Sequence, residues 1–194
     1  MFATIRTVKQ ALILHGTDAS PEHNWFAWLR DQLEANNYKV WLPQLPGADK
    51  PNTKAYTDFL LANPDFPFNN ETILIGHSSG AVEILSLLQH LPEHVKAEAA
   101  YLVSAFKDDL GWDSLIGLFE EHFDFTKIKT KVDKFIFLHS DNDPYVPLEH
   151  AQYLSEQLGG ELIVKTGQGH FNTEADEKYV AFPLLLDIIQ GGEQ

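Results

Sequence analysis

The chain has 194 residues, no cysteine, 14 Lys and Arg against 28 Asp and Glu, and a formal net charge of −14. That length suits a single domain, residues 1–194, with a core that needs no covalent staple; the lack of cysteine removes disulfides, thiolate metal sites and a thiol nucleophile. Such acidity repels phosphate backbones and anionic bilayers, no stretch approaches a membrane span, and the first ten residues lack the apolar core of a signal peptide, so no nucleic acid, no membrane and a cytoplasmic location are expected.

Apolar runs of strand length alternate with helix-like patterns along the chain, which indicates an α/β fold with a mainly parallel sheet. The first run, Ala11 to Leu14, enters His15-Gly16. A helix is expected from Pro21 or Asn24 to Ala35, with Trp25, Trp28, Leu29 and Leu33 on one face and Ser20 capping it ahead of Pro21. Tyr38 to Leu42 reads as the second strand, followed by the loop Pro43-Gln44-Leu45-Pro46-Gly47. A helix over Lys54 to Ala62 precedes the apolar run Ile73 to Ile75, and another helix runs from Ala81 to Leu91. Ala97 to Ala105 and Lys134 to His139 read as strands, Leu148 to Leu158 as a helix, and Glu161 to Thr166 as the sixth strand. The closing helix spans Tyr179 to Ile189, with Pro183 tolerable only in its first turn. The tail Gly191 to Gln194 is expected to fray. One segment departs from the alternation: residues 106–131 carry Trp112, Leu115, Ile116, Leu118, Phe119, Phe123 and Phe125 among carboxylates. It reads as an ordinary surface helix or as a short lid on the side where such sheets bind ligands.

The most informative stretch joins the third strand to its helix. Gly76-His77-Ser78-Ser79-Gly80 is a G-x-S-x-G pentapeptide with an apolar run before it and a helical pattern after it. In that setting the pattern has a mechanism. A sharp strand-to-helix turn holds the central serine in strained backbone and lifts its hydroxyl out at the sheet's edge, and glycines flank it because side chains would collide there. The helix then points its N-terminus at developing negative charge. The pentapeptide alone is short enough to arise by chance, so the rest of the machinery must be found.

A serine hydroxyl needs a base, and the base an orienting group; after an elbow serine the chain order is acid, then histidine. Two downstream loops answer. His170 stands in Gly167-Gln168-Gly169-His170-Phe171 after the last strand. The acid comes from Asp141-Asn142-Asp143-Pro144-Tyr145-Val146-Pro147, where Asp143 is favoured over Asp141 because the prolines stiffen its backbone. Both loops fall at the same sheet edge as Ser78. Backbone N–H groups of Ser79 and of Thr17, in the loop after the first strand, are the expected oxyanion donors. His15, Trp25, Trp112 and Phe119 are candidate pocket residues.

These segments resemble the α/β-hydrolases, and within them the small serine hydrolases of the YdeN and retinoblastoma-binding protein nine type. The resemblance runs from Leu12 to about Ile189. It rests on Leu14-His15-Gly16 with Trp25 downstream, Pro43-Gln44-Leu45-Pro46, Ile75 to Ala81, Leu102-Val103-Ser104-Ala105, Asp143 to Pro147, and Gly169-His170-Phe171. It implies a three-layer α/β/α sandwich with about six strands, a minimal cap at 106–131, a Ser78-Asp143-His170 triad and no cofactor. It supplies no substrate; the serine chemistry itself leads to the expectation of a small-molecule ester or activated amide, cleaved by Ser78 through an acyl-enzyme. Asp18 departs from the pattern by putting a carboxylate beside the oxyanion loop. Two other readings exist. His15, His77, His139 and His170 all fall near strand ends, but no H-E-x-x-H or close histidine pair supports a metal site, and none is assigned. A binding protein with an idle triad is the remaining alternative.

Overall fold

A computed structural model describes residues 8–192. Six parallel strands form one sheet: β1 (Gln10–Leu14), β2 (Lys39–Trp41), β3 (Thr72–His77), β4 (Ala97–Val103), β5 (Val132–Ser140) and β6 (Glu161–Lys165), in the spatial order β2-β1-β3-β4-β5-β6. The helices are α1 (Phe26–Ala35), α2 (Thr53–Leu61), α3 (Ser79–His90), α4 (Phe125–Lys129), α5 (Leu148–Leu158) and α6 (Pro183–Ile189).

Strand alternation sorts them into three layers. Leu12 and Leu14 of β1 pack with Tyr56 and Leu60 of α2, the apolar face of α3, Ile128 of α4 and Leu154 of α5. Ala11 and Ile13 point the other way, onto Phe26, Leu29 and Leu33 of α1 and Leu185 and Ile188 of α6. A strand covered on both faces reads as a continuous apolar run rather than an alternating one, which is why β1 and β3 are so conspicuous in the sequence.

The winding places the site. The chain runs from β1 outward to β2, then returns across β1 to β3 and continues to β6. The direction of winding therefore reverses between β1 and β3, and ligands of open parallel sheets bind at the carboxyl ends of the strands flanking such a reversal. Those two ends carry His15-Gly16-Thr17 and Ser78.

Two helix boundaries differ from expectation. Ser20 does not cap α1: residues 21–25 form turns, Ser20 N–H donates to His23 Nδ1, and the helix begins at Phe26 after Asn24 takes a positive φ of 50°. The closing helix is broken in two, a short 3-10 helix (Glu177–Val180) and then α6 with Pro183 in its first turn. Proline cannot donate to the preceding turn, so the helix restarts there. The expected fraying at 193–194 and the reading of residues 1–7 lie outside the described residues. Among the described residues no helix is long and apolar enough to cross a membrane.

Candidate active site

Ser78 is the single residue between β3 and α3, with φ 55° and ψ −123°. Its neighbours explain both glycines of the pentapeptide. A Cβ on Gly76 would lie 2.6 Å from Ala81 Cα, and one on Gly80 would lie 2.5 Å from the Leu14 carbonyl oxygen. Backbone cannot yield as a side chain can, so α3 closes against β1 only because both positions are bare. Gly16 is also close to the serine, though less tightly: its Cβ would lie 3.1 Å from Ser78 Cβ. The Ser78 N–H donates to the Val103 carbonyl at 2.9 Å, tying the turn to the end of β4.

Ser78 opens onto a cleft of about 220 Å³, whose lining includes Thr17, Asp18, Leu110, Trp112, Tyr145 and His170. Non-glycine residues with positive φ concentrate here: Asp18, Asn24, Ser78 and Leu110 all line it. Such strain gathers at functional sites, where the surroundings over-determine the backbone.

His170 Nδ1–H donates to Asp143 Oδ2 at 2.7 Å, and the Asp143 side chain is fully buried. Asp143 Oδ1 accepts the N–H groups of Tyr145 and Val146, both at 3.0 Å. Burial alone would raise this carboxyl. Its hydrogen bond to His170, that ring's charge and the two backbone donors outweigh burial and hold it below the usual carboxylate range.

The loop carrying His170 is fixed from beneath. His77 Nε2–H donates to the His170 carbonyl at 2.8 Å, and Trp25 Nε1–H donates to the Phe171 carbonyl at 2.9 Å. From the side, Asp141 accepts the Gly167 N–H and Asn142 Oδ1 the Gly169 N–H, both at 2.8 Å. Asp141 thus lies against the glycine turn, while Asp143 holds the imidazole.

Four other histidines at or near this edge are spent on the backbone or pushed toward neutrality. His15 Nε2 accepts the Leu45 N–H at 3.0 Å, and His139 Nε2–H donates to the Val146 carbonyl at 2.9 Å. Burial lowers the pKa of His15, His139 and His150, and burial with the neighbouring His170 lowers His77 to about 3.

Three expected pocket residues lie elsewhere. His15 is fully buried and pins the loop after β2; Trp25 is fully buried in the α1 core, reaching the Phe171 carbonyl rather than solvent. Phe119 faces a separate depression with Phe123, Phe125 and Tyr153, and packs on Phe106. Trp112 does line the cleft and is 47% exposed. The 106–131 segment walls the cleft with Leu110, Trp112 and Leu115, while Leu118, Phe123 and Ile128 are buried in the core. A short 3-10 helix (Asp113–Leu118) replaces the longer surface helix, and Gly117 lets it close on the Pro51 carbonyl, 2.8 Å from where a Cβ would sit.

Sequence reasoning gave no role to Tyr145, whose ring meets His170 edge-on at 5.1 Å, or to Glu174 and Asn172 on the cleft wall. The Asp143-Pro144-Tyr145 turn was the only signal for the first. Asp18 lines the cleft with its N–H on the Ala48 carbonyl at 2.9 Å, which sets the course of the loop after β1.

The chain is similar to known proteins in the same terms. YdeN of Bacillus subtilis (strain 168), provisionally described as a hydrolase, is 28% identical over 182 residues, covering 93% of this chain and 94% of that one. The crystal structure of the ydeN gene product superposes with a TM-score of 0.86, covering 94% of this chain and 97% of that one. The serine hydrolase RBBP9 of Rattus norvegicus is 30% identical over 159 residues, covering 80% of this chain and 82% of that one. An extracellular α/β-hydrolase from a Paenibacillus species, at 17% identity and TM-score 0.65 over 95% of this chain and 99% of that one, shares the fold. Residues 11–190 match the family model described as serine hydrolase, and the chain belongs to that family.

Proposed function

We propose that this serine hydrolase cleaves small esters or activated amides through Ser78, His170 and Asp143, by way of an acyl-enzyme. The reading rests on one observation above all: His170, held by the buried Asp143 at 2.7 Å, faces the same cleft as a serine at φ 55° between strand and helix.

In this scheme the Ser78 Oγ–H proton passes to His170 Nε2 as Oγ bonds to the substrate carbonyl carbon. The carbonyl oxygen takes up the negative charge. The Ser79 N–H is the first of α3 and has no acceptor within its helix, and the Thr17 N–H makes no backbone hydrogen bond among the described residues. Both are candidates to receive that charge, with the positive end of α3 behind them. His170 then returns its proton to the leaving oxygen or nitrogen as that bond breaks, leaving the acyl group on Ser78. Water repeats the sequence in reverse: its proton goes to His170, its oxygen bonds to the acyl carbon, and the proton returns to Ser78 Oγ as the acid departs. Asp143 stays ionised throughout and stabilises the imidazolium.

The cleft, at about 220 Å³, is small for a ligand site, which favours short acyl groups. No Lys or Arg lines it, while Asp18 and Glu174 do, so anionic acyl groups are disfavoured. A panel of p-nitrophenyl esters and aminoacyl amides of graded length tests the scheme, with Ser78→Ala as blank. Acetyl and butyryl esters should outrun longer ones, and a fluorophosphonate probe should label wild type but not Ser78→Ala. A folded wild type that the probe leaves unlabelled would favour an idle triad on a binding scaffold.

A further inference from the structure

We propose that Ser104 is a positioning residue for the catalytic acid, an inference that rests on the triad reading above. Ser104 follows β4, is fully buried, and takes a φ of 51°, a left-handed conformation uncommon for residues other than glycine, asparagine and aspartate. Its hydroxyl donates to Asp143 Oδ2 at 2.8 Å, the same oxygen that His170 Nδ1–H reaches at 2.7 Å.

The carboxylate therefore has four donors: Ser104 and His170 on Oδ2, and the Tyr145 and Val146 N–H groups on Oδ1. Water has no access, since the Asp143 side chain is fully buried. Ser104 is the one side-chain hydroxyl in this shell, so it supplies what solvent would otherwise supply to Oδ2. The backbone holds it there. Ser104 N–H donates to the Leu138 carbonyl at 3.0 Å, and the preceding carbonyl, Val103, accepts the Ser78 N–H at 2.9 Å. The strand end that carries Ser104 is thus bonded both to the strand leading to the acid and to the nucleophile's own turn. The left-handed turn at 104 ends β4, and the hydroxyl it carries is spent on Asp143.

Two consequences follow for catalysis. The carboxylate plane is fixed against the imidazole, so loss of the hydroxyl lowers turnover. The carboxylate charge is also shared with a neutral donor. Without it, Asp143 holds the imidazolium more strongly, and the acid limb of the rate profile moves to higher pH. The other titratable groups near the pair among the described residues are His77 against His170, Tyr145 at the imidazole edge, His139, which feels the Asp143 charge, and Asp18 and Glu174 on the cleft wall; all five remain in the variants.

The test uses Ser104→Ala and Ser104→Gly, with kcat expressed per site titrated by a fluorophosphonate. Glycine adopts φ 51° without strain, so Ser104→Gly remains informative if Ser104→Ala folds poorly. Both variants should lose roughly ten- to a hundredfold in kcat, the range for removing one hydrogen bond to a charged group, with KM changed less than about twofold. The acid limb of log(kcat/KM) should move up in pH, and the downfield proton resonance of the His170–Asp143 hydrogen bond should shift. A merely structural role would lower the melting temperature and the titrated fraction, leaving kcat per site and the acid limb unmoved; that result overturns the inference. Asp143→Asn, alone and combined with Ser104→Gly, separates the two layers. If Asp143→Asn is fully active, the triad reading itself fails. If it is inactive while both Ser104 variants keep full kcat per site, only the role of Ser104 fails.

Discussion

Replacing Asp143 by asparagine changes one oxygen for one nitrogen, and the surroundings decide which way the amide turns. The N–H groups of Tyr145 and Val146, both at 3.0 Å from Oδ1, demand an acceptor and cannot move without unwinding the turn before α5. The amide oxygen therefore stays with them, and the new NH₂ takes the place of Oδ2, facing His170 Nδ1 and the Ser104 hydroxyl. Ser104 adapts by rotating its hydrogen and accepting. His170 cannot adapt without cost: to accept from the NH₂ it must carry its proton on Nε2, where the proton of Ser78 should go. The imidazole is then held in the tautomer that cannot act as base. In the chymotrypsin-like triad the same exchange lowers kcat about 10⁴-fold, or roughly 5.5 kcal/mol of barrier at about 1.36 kcal/mol per tenfold. A loss of similar order is expected here for p-nitrophenyl acetate hydrolysis, with KM little changed. Thermal melting followed by circular dichroism checks that the variant is folded. Asp141→Asn is the control, because Asp141 accepts only the Gly167 N–H among the described contacts and should cost less than about tenfold. A folded Asp143→Asn within tenfold of wild type, or a larger loss in Asp141→Asn, would refute the reasoning.

Two further substitutions probe how the site is built. Gly80→Ala would set a Cβ 2.5 Å from the Leu14 oxygen and 2.6 Å from the His15 oxygen; the overpacking should lower stability by about 2–3 kcal/mol, or roughly 4–12 °C in Tm, and slow labelling of Ser78. Unchanged melting would mean that α3 does not need its close seat on β1. Trp25→Phe keeps the ring in the core but orphans the Phe171 carbonyl, which should cost about 1–3 kcal/mol and reduce kcat by loosening the His170 loop. Differential scanning calorimetry with esterase assays reads both, and an intact kcat would show that the contacts from His77, Asp141 and Asn142 hold the loop without Trp25.

Much of this was legible because the strands advertise themselves. β1 and β3 are buried on both faces, so their apolar runs are dense and the loops that follow them are easy to place. Ser78, Asp143 and His170 stand out as candidates because each follows a strand with glycine or proline within two residues. The pocket wall was not legible. Trp25 and Trp112 are both candidates for the pocket wall by sequence, yet one is fully buried against α1 and the other half exposed over the cleft. The fate of Trp25 follows from the turns before α1, where Asn24 takes a positive φ that no local pattern announced. The partners of Asp143 were hidden for a similar reason. Ser104 lies 39 positions away in sequence, and only the pairing of β4 with β5 brings its hydroxyl to the acid.

Five histidines crowd this edge or border it, and their burial and hydrogen bonds set them apart. His77 packs 4.7 Å from His170, ring centre to ring centre, so two imidazoles compete for any proton near Ser78. His77 is kept out of that competition. It is buried, its Nδ1 has no partner among the described residues, its Nε2–H is held by the His170 carbonyl, and its pKa is lowered to about 3 by burial first and by the neighbouring imidazole second. The linkage has a definite sign. A base whose folded pKa lies below the unfolded value of about 6.5 leaves the folded state with fewer protons in between, so stability is greatest above pH 6.5 and falls as the pH drops toward 3. Between pH 6.5 and pH 5 the loss from His77 alone is roughly 2 kcal/mol, since each pH unit in that window counts about 1.4 kcal/mol. His15 and His139 add to the same slope, whereas Asp143, held below its usual range, contributes only below about pH 4. His77→Gln keeps an N–H donor for the His170 carbonyl and removes the titration. Urea unfolding at pH 7, 6 and 5 should therefore show a shallower decline in the variant by about that amount. An identical decline in both proteins would mean that His77 is charged in the folded state and shares protons with the base.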